Sequence, residues 1–210
     1  MATFFDNKNK FLIRDVPKGG GTTIRNWIGY YLMGELKLVK NSGQEEFYYN
    51  QDSVAKYIKE NGYVMDLYTE SDLESVCVKR DPVERFISCY ADKVMREKWI
   101  NVSLSDFIDN FDKYSDINAT HKQDGTEYGF IWYHFAPQVH QLGYNKDKYT
   151  HVFDISELGT NVKEYLEDKW KVELPELHCR NNKRRSFRLS PKQISKVEEI
   201  YSVDYKNGWC

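Results

Sequence analysis

Residues Asp15–Trp27 read DVPKGGGTTIRNW, and this stretch decides the fold class. The apolar run Lys10–Val16, bounded by Pro17, predicts a short buried strand that leads into it. From Thr22 onward the spacing predicts a helix, with apolar residues recurring at Ile24, Trp27, Ile28, Tyr31 and Leu32. A strand, a glycine turn and a helix in this order open a β-α-β unit, which is typical of α/β proteins.

The rest of the chain continues the alternation of strands and helices. Two further buried strands are predicted, at Ser75–Lys79 and Thr150–Asp154. Helices are predicted at Ser53–Glu60, at Ser103–Phe111 and at Trp132–Leu142, the last with a break at Pro137. Another begins at Asp81–Pro82 and has Phe86, Ile87, Tyr90, Val94 and Trp99 on one side. Two more run from a cap at Ser156 to Lys169 and from a capping box at Ser190 to Tyr205. Loops are expected at Lys37–Asn50, Asp112–Gly129 and the basic segment Arg180–Arg188. This order predicts an α/β fold with a mostly parallel central sheet flanked by helices.

Composition sets limits on the function. The chain has 210 residues and a net charge of −2, from 30 basic and 32 acidic side chains, so no general attraction to nucleic acid or anionic membrane is expected. Without a linker-like stretch, residues 1–210 are predicted to form a single domain. The first residues contain no long apolar segment, so we expect neither a signal peptide nor a membrane anchor. We therefore expect a cytoplasmic location. The 4 cysteines show no metal-ligand spacing, and no metal is expected.

The glycine turn is a candidate anion site. Gly19, Gly20 and Gly21 let the backbone approach an anion closely, and the helix that follows offers free N–H groups at its positive end. Thr22 and Thr23 add hydroxyl donors, and Lys18 adds a positive charge at the mouth of the turn. The alternative is a structural turn with a surface lysine. In nucleotide-binding P-loops the lysine follows the glycines, whereas here it precedes them.

A second candidate is the stretch VCVKRDPVERFISCYADK, residues Val76–Lys93. Arg80 follows a predicted strand and Ser88 lies two turns into the next helix, so both can reach the carboxyl edge of the sheet, where open α/β sheets bind ligands. Arginine offers phosphate a planar fork of donors. Taken alone, the motif is more typical of a structural Arg–Asp pair at a strand-to-helix junction.

Together the two stretches resemble the nucleotide-binding motifs of the sulfotransferases that use 3′-phosphoadenosine 5′-phosphosulfate (PAPS). PKGGGTT is similar to their 5′-phosphosulfate loop, and KRDPVERFISCYADK is similar to their 3′-phosphate motif. The resemblance is closest to the carbohydrate branch, of the heparan and chondroitin type. Three later segments of that branch have counterparts in the same order, at His134–Gln138 (HFAPQ), Phe153–Leu158 (FDISEL) and Tyr201–Tyr205 (YSVDY).

This resemblance implies a P-loop-like strand, loop and helix that bind PAPS without a metal. Lys18 would stabilise the charge that develops on the leaving oxygen, and Gly19–Thr23 would cradle the 5′-phosphate. Arg80 and Ser88 would hold the 3′-phosphate, which ATP lacks. Lys183 and Arg184, in the basic loop, match the place where the family closes a lid over that phosphate.

The general base is open at this stage. His134 is the leading candidate, because an ordinary imidazole has a pKa near neutrality and because it lies in the HFAPQ segment. A histidine beside aromatic residues is equally compatible with a packing role. Glu45, Glu46 and Asp66 are the alternatives, in regions where relatives keep a catalytic side chain.

The acceptor is expected to be a hydroxyl of a glycan, with a tyrosyl peptide or a small hydroxylated metabolite as alternatives. Two other functions are weighed against sulfuryl transfer. A P-loop-type kinase or other phosphotransferase would need Mg²⁺ and would ignore a 3′-phosphate. A non-catalytic nucleotide-binding module would bind the donor without turnover.

Overall fold

The computed structural model describes residues 3–6, 8–34, 38–41, 44–47, 74–115, 130–177 and 187–210. The chain divides into two compact units, each built from three segments. The sheet unit comprises Met1–Val16, Gly20–Lys79 and Asp147–Arg184. The helical unit comprises Pro17–Gly19, Arg80–Lys146 and Arg185–Cys210. The single domain over residues 1–210 stays a prediction.

The helices and strands are named here in chain order. The bounds are β1 Thr3–Asp6, β2 Phe11–Asp15, α1 Gly21–Met33, β3 Leu38–Asn41, β4 Gln44–Phe47, β5 Glu74–Lys79, α2 Pro82–Cys89, α3 Leu104–Asp109, α4 Phe111–Ser115, α5 Phe130–Phe135, α6 Val139–Leu142, β6 His151–Asp154, α7 Lys163–Trp170, α8 Pro191–Ile200 and α9 Ser202–Lys206. A π-helical segment, Tyr90–Arg96, follows α2 directly. The three predicted strands and the break at Pro137 are confirmed.

The sheet unit contains a four-stranded mixed sheet in the order β1-β2-β5-β6. The β2–β5 and β5–β6 pairings are parallel, with Ile13 opposite Val76 and Val76 opposite His151. The β1–β2 pairing is antiparallel. The expected α/β class is therefore confirmed, and two of the three strand pairings in this sheet are parallel.

Strand β1 is absent from the sequence-based prediction, which took Lys10–Val16 as the first strand. The missed hairpin is held by its turn, where the Asp6 carboxylate accepts from the Lys8 and Asn9 backbone N–H groups at 3.0 Å. Lys10 completes the turn with a left-handed φ of 56°. The strands β3 and β4 pair antiparallel, at 38–41 and 44–47, where the sequence predicts a loop.

Apolar side chains of α1 and α7 cover the sheet and build the core of this unit. Ile24, Trp27 and Ile28 pack with side chains from β2, β5 and α7, namely Phe11, Ile13, Val76, Val78, Leu166 and Trp170. The turn before α7 is capped by Asp154 and not by Ser156, because the Asp154 carboxylate accepts from the Ser156 N–H at 2.9 Å. Helix α1 ends at Gly34, which has a left-handed φ of 71°.

The core of the helical unit is aromatic. Its buried members include Phe86, Phe107, Phe111, Phe135 and Tyr201, contributed by α2, α3, α4, α5 and the junction of α8 and α9. Two predicted caps are confirmed: Asp81 accepts from the Glu84 N–H before α2, and Ser190 forms a capping box with Gln193 before α8.

Some predicted bounds are corrected or lie outside the described residues. Residues 112–115, expected in a loop, belong to α4, and Trp99 lies beyond the π-helical segment, which ends at Arg96. The predicted helix Ser53–Glu60 lies outside the described residues.

Candidate active site

The glycine turn is built from strained and closely packed backbone. Lys18 has a φ of 67°, a left-handed conformation that a lysine rarely adopts. Gly20, the residue before α1, has a φ of 87°, and a Cβ there would lie 2.7 Å from the Leu158 side chain. At Gly21 a Cβ would overlap the Asp15 carboxylate. The left-handed φ favours glycine at position 20, and at position 21 the Asp15 carboxylate would have to shift to admit a Cβ.

The start of α1 has the character of an anion site. The residue before the helix, Gly20, has no side chain to cap it, and the first turn contains no acidic residue, although the Asp15 carboxylate lies beside Gly21. The first N–H groups of a helix lack partners within the helix and carry a partial positive charge. Thr22 is half-buried and Thr23 is buried within that first turn.

Arg80 directly follows β5 and is buried, with 4% of its surface exposed. Its Nη1 donates to the Lys18 backbone carbonyl at 3.1 Å, and its Nη2 lies 3.4 Å from the Glu84 carboxylate. Gln138 fixes the Arg80 main chain from both sides, because its Oε1 accepts from the Arg80 N–H at 3.0 Å and its Nε2 donates to the Arg80 carbonyl at 2.8 Å. The Arg80 main chain, which positions the guanidinium group, is thus fixed by two hydrogen bonds.

The side chain of Lys18 forms an ion pair with Asp92, with Nζ 3.0 Å from Oδ2. Asp92 lies on the π-helical segment and also pairs with Lys93, at 3.6 Å, and with Arg96. Burial acts to raise the pKa of the Asp92 carboxyl, but the charges of Lys18, Lys93 and Arg96 outweigh it and lower the pKa. Asp92 is therefore ionised at neutral pH.

His134 lies on α5 with its ring edge-on to those of Trp99 and Tyr133, at centroid distances of 5.4 and 5.3 Å. Its backbone carbonyl accepts from Arg85 Nη1 at 2.9 Å. Burial, and then the charge of Lys93, lower the pKa of the imidazole to about 3. The ring is consequently neutral at physiological pH, and its pKa is far below the near-neutral value expected from the sequence.

A scan against protein-family models matches residues 1–207 to a model described as the sulfotransferase family. The chain belongs to the sulfotransferase family. Searches of curated proteins and of solved structures each found no match to it. Membership of the family makes the chain a transferase of sulfuryl groups, and the family generally uses PAPS as its donor.

Within this sulfotransferase, the structure brings two of the residues that the sequence singled out into contact. Lys18 and Arg80 are in contact. Ser88 is half-buried on α2, and Gly19 is buried. Glu45 and Glu46 lie in β4, a strand rather than the expected loop. Asp66, Lys183 and Arg184 lie outside the described residues.

Three residues that were not singled out from the sequence contact the candidate site residues or their neighbours: Arg85 contacts Pro17, Asp92 contacts Lys18 and Gln138 contacts Arg80. Arg85 is fully buried and donates to the carbonyls of Pro17, at 3.5 Å, and of Ala136. Each of the three lies inside a quoted motif, RDPVERF, SCYADK or HFAPQ. A charged or amide side chain in an apolar helical pattern was the signal that could have found them.

Among the described residues of the sulfotransferase, no group of three or more His, Cys, Asp or Glu side chains could hold a metal ion. None of the helices in that part of the chain is long and apolar enough to cross a membrane.

Proposed function

We propose that this sulfotransferase moves a sulfuryl group from PAPS to a hydroxyl of a carbohydrate acceptor. One observation carries the donor assignment. Arg80 Nη1 donates to the Lys18 carbonyl at 3.1 Å, so the two stretches that resemble the PAPS motifs are in direct contact. The family match over residues 1–207 supports the same donor.

Arg80 and Ser88 are assigned to the 3′-phosphate of PAPS. The Arg80 fork already has a rigid base, and its Nη2 has a long 3.4 Å contact with Glu84, whose side chain is 61% exposed. Because this contact is long and the Glu84 carboxylate can turn to solvent, we expect a phosphate dianion to replace it. The half-buried Ser88 hydroxyl adds a second donor. Since ADP and ATP lack the 3′-phosphate, this pair would give the protein its selectivity.

The loop Lys18–Thr23 is assigned to the 5′-phosphosulfate. The first N–H groups of α1 and the hydroxyls of Thr22 and Thr23 would supply neutral donors. The glycines allow the close approach that these donors need.

Lys18 is assigned to the charge that develops during transfer. The bond between sulfur and the bridging phosphate oxygen breaks, and its electron pair stays on that oxygen, while a new bond joins sulfur to the acceptor oxygen. The ammonium group of Lys18 would stabilise the oxygen as its negative charge grows. The acceptor proton passes to a general base.

His134 is proposed as that base, with Glu45, Glu46 and Asp66 as the alternatives. Its neutral ring can accept a proton, but a pKa of about 3 makes it a weak base in the donor-free protein. A bound PAPS brings several negative charges, and nearby anions raise the pKa of an imidazole. The donor would therefore bring His134 closer to the basicity that the reaction needs.

The donor assignment is tested by titration with 3′-phosphoadenosine 5′-phosphate (PAP) and with ADP. Wild type should bind PAP roughly 100-fold more tightly than ADP, and Arg80→Ala should lose most of this preference, because a charge-assisted bidentate contact contributes about 1.5–3 kcal/mol. Arg14→Ala is the matched control, since Arg14 lies on β2 and contacts Tyr149. Equal affinity for PAP and ADP would overturn the assignment, and Mg²⁺-dependent ATP binding would favour the phosphotransferase.

The acceptor is tested separately with PAPS labelled in the sulfuryl group. A panel of oligosaccharides, tyrosyl peptides and small phenols or alcohols should yield a labelled product with oligosaccharides. Label transfer to a peptide or a small alcohol instead would replace the carbohydrate assignment and leave the donor assignment intact. Binding of PAP without label transfer to any acceptor class would favour a non-catalytic module.

A further inference from the structure

Asp92 is the centre of a cluster of cations. Its carboxylate lies 3.0 Å from Lys18 Nζ and 3.6 Å from Lys93 Nζ, and it also pairs with Arg96. Only 9% of its side chain is exposed, compared with 22% for Lys18. The pair is therefore shielded enough from water for its electrostatic interaction to be appreciable.

The local backbone is unusual at this point. Tyr90–Arg96 is π-helical, and the Glu97 N–H donates to the Asp92 carbonyl, five residues back, at 2.9 Å. π-Helical turns are rare and are frequent at functional sites. This turn presents Asp92 to Lys18 across 74 positions of sequence.

The three cations differ in what else they contact. Lys93 and Arg96 also pair with Glu97, at 2.9 and 3.0 Å. For Lys18, Asp92 is the one carboxylate within ion-pair distance among the described residues. If Lys18 moved away, Asp92 would keep two cations and would not become a buried, unpaired charge.

We propose that Asp92 is a positioning residue that holds the Lys18 ammonium group while the donor site is empty and exchanges it for the donor's 5′-phosphosulfate. Donor binding moves the ammonium group from the carboxylate to the phosphosulfate, and departure of the PAP product returns it. This inference rests on the proposed function, because Lys18 is given the same role at the leaving oxygen.

The exchange has an energetic consequence. Because the ion pairs of Asp92 with Lys93 and Arg96 do not involve Lys18, two cationic partners remain when Lys18 leaves, and we expect the carboxylate to stay charged without a proton transfer. The carboxylate also competes with the donor for Lys18 and repels its negative charge. Asp92 should therefore weaken the binding of PAP and speed its release.

The first experiment measures PAP affinity for Asp92→Asn, for Lys18→Ala and for the double variant. Asp92→Asn should bind PAP about tenfold more tightly than wild type and release it more slowly, since one nearby negative charge is removed. In the Lys18→Ala background the same change should gain only about two- to threefold, because the competition for Lys18 is gone. Asp92→Glu, which keeps the charge, should bind PAP like wild type.

Glu97→Gln is the matched control, because it removes a carboxylate from the same cluster that pairs with Lys93 and Arg96. The exchange would be overturned if Glu97→Gln gained as much PAP affinity as Asp92→Asn does. It would also be overturned if Asp92→Asn changed PAP affinity equally with and without Lys18. Thermal unfolding of each variant identifies a general loss of structure, which would lower PAP affinity instead of raising it.

The second experiment needs no donor. An amine-reactive reagent at one fixed pH, with mass spectrometry of the Lys18 peptide, should modify Lys18 several-fold faster in Asp92→Asn than in wild type or Glu97→Gln. Equal rates would overturn the pairing itself. Failure of wild type to bind PAP would overturn the proposed function and the exchange with it, whereas normal PAP binding with equal labelling rates would overturn the exchange alone.

Discussion

Two aspartates of the helical unit, Asp92 and Asp204, have similar burial and opposite surroundings. Asp92 is 9% exposed and pairs with three cationic side chains. Asp204 is fully buried and accepts from the backbone N–H groups of Gln138 and Val139, each at 2.9 Å. The pKa of Asp92 is lowered, whereas burial raises the pKa of Asp204 despite the two backbone hydrogen bonds.

The difference separates the charged region around Asp92 from the structural region around Asp204. The cations around Asp92 have other partners: Lys93 and Arg96 also pair with Glu97, and Lys18 is proposed to move to the donor. Backbone N–H groups cannot leave Asp204, so this carboxylate fixes the start of α6. Gln138 links the two regions, because its backbone is held by Asp204 and its side chain holds Arg80.

The largest effect should come from Lys18→Ala in the region around Asp92. We expect turnover with PAPS to fall about 10²- to 10³-fold, since loss of one group that stabilises charge at the transition state costs about 3–4 kcal/mol. Steady-state kinetics with the labelled donor measure this. Lys98→Ala is the control, because Lys98 is an exposed lysine with the same left-handed backbone, φ 55°. Equal losses in the two variants would mean that the effect comes from the backbone and not from the ammonium group.

Asp204→Ala should have the next largest effect, and on stability. Two buried N–H groups lose their acceptor, so the free energy of unfolding should drop by about 2–5 kcal/mol. Urea denaturation followed by tryptophan fluorescence gives the value. Asp168→Ala, at an exposed position of α7 with a surface pair to Lys171, should change stability by less than about 1 kcal/mol. A comparable loss of unfolding free energy at both positions would show that the buried hydrogen bonds of Asp204 contribute no more to stability than a surface ion pair does.

Gln138→Ala tests the link between the regions. Removing the amide leaves the Arg80 N–H and carbonyl without their partner and should cost about 1–3 kcal/mol of stability. PAP affinity should also fall several-fold, because the Arg80 backbone loosens. Gln141→Ala is the control: this buried amide donates to the Tyr133 carbonyl at 2.7 Å, whereas the Gln138 amide binds the Arg80 main chain. Its stability can fall, but its PAP affinity should not.

Features with a local cause were predictable from the sequence. The start of α8 follows from Ser190, Pro191 and Gln193, and the strands β2 and β5 follow from their apolar runs. Strand β1 was missed because its four residues, TFFD, pair only through the turn centred on Lys8–Lys10. Strand β4 was missed because QEEF is too acidic to suggest a strand.

For the candidate site, the motifs gave the positions of Lys18, Arg80 and His134 but not their partners. The Lys18–Asp92 pair joins residues 74 positions apart, and the Arg80–Gln138 pair joins residues 58 apart. Side-chain periodicity does not report such contacts, and it does not distinguish an α-helix from the π-helical turn that presents Asp92. The low pKa of His134 likewise depends on burial that only the fold creates.

The smallest effect, and the sharpest test of the comparison, is the dependence of stability on pH. For Asp92 the folded pKa lies below the ordinary 3.8, so its contribution is fully present above that value and is lost as the pH falls through the lowered pKa. For Asp204 the folded pKa lies above 3.8, so its contribution is fully present below that value and is lost as the pH rises through the raised pKa.

Asp92→Asn and Asp204→Asn should therefore change the pH profile in opposite directions. Below pH 3.8, Asp92→Asn should lose less stability on acidification than wild type does, because it has no carboxylate to protonate. Above pH 3.8, Asp204→Asn should lose less stability than wild type as the pH rises, since the cost of ionising a buried carboxyl is gone. Urea denaturation at a series of pH values measures the slope of the unfolding free energy against pH for each variant and for wild type. If both variants changed this slope in the same direction relative to wild type, the division into a charged and a structural region would be contradicted.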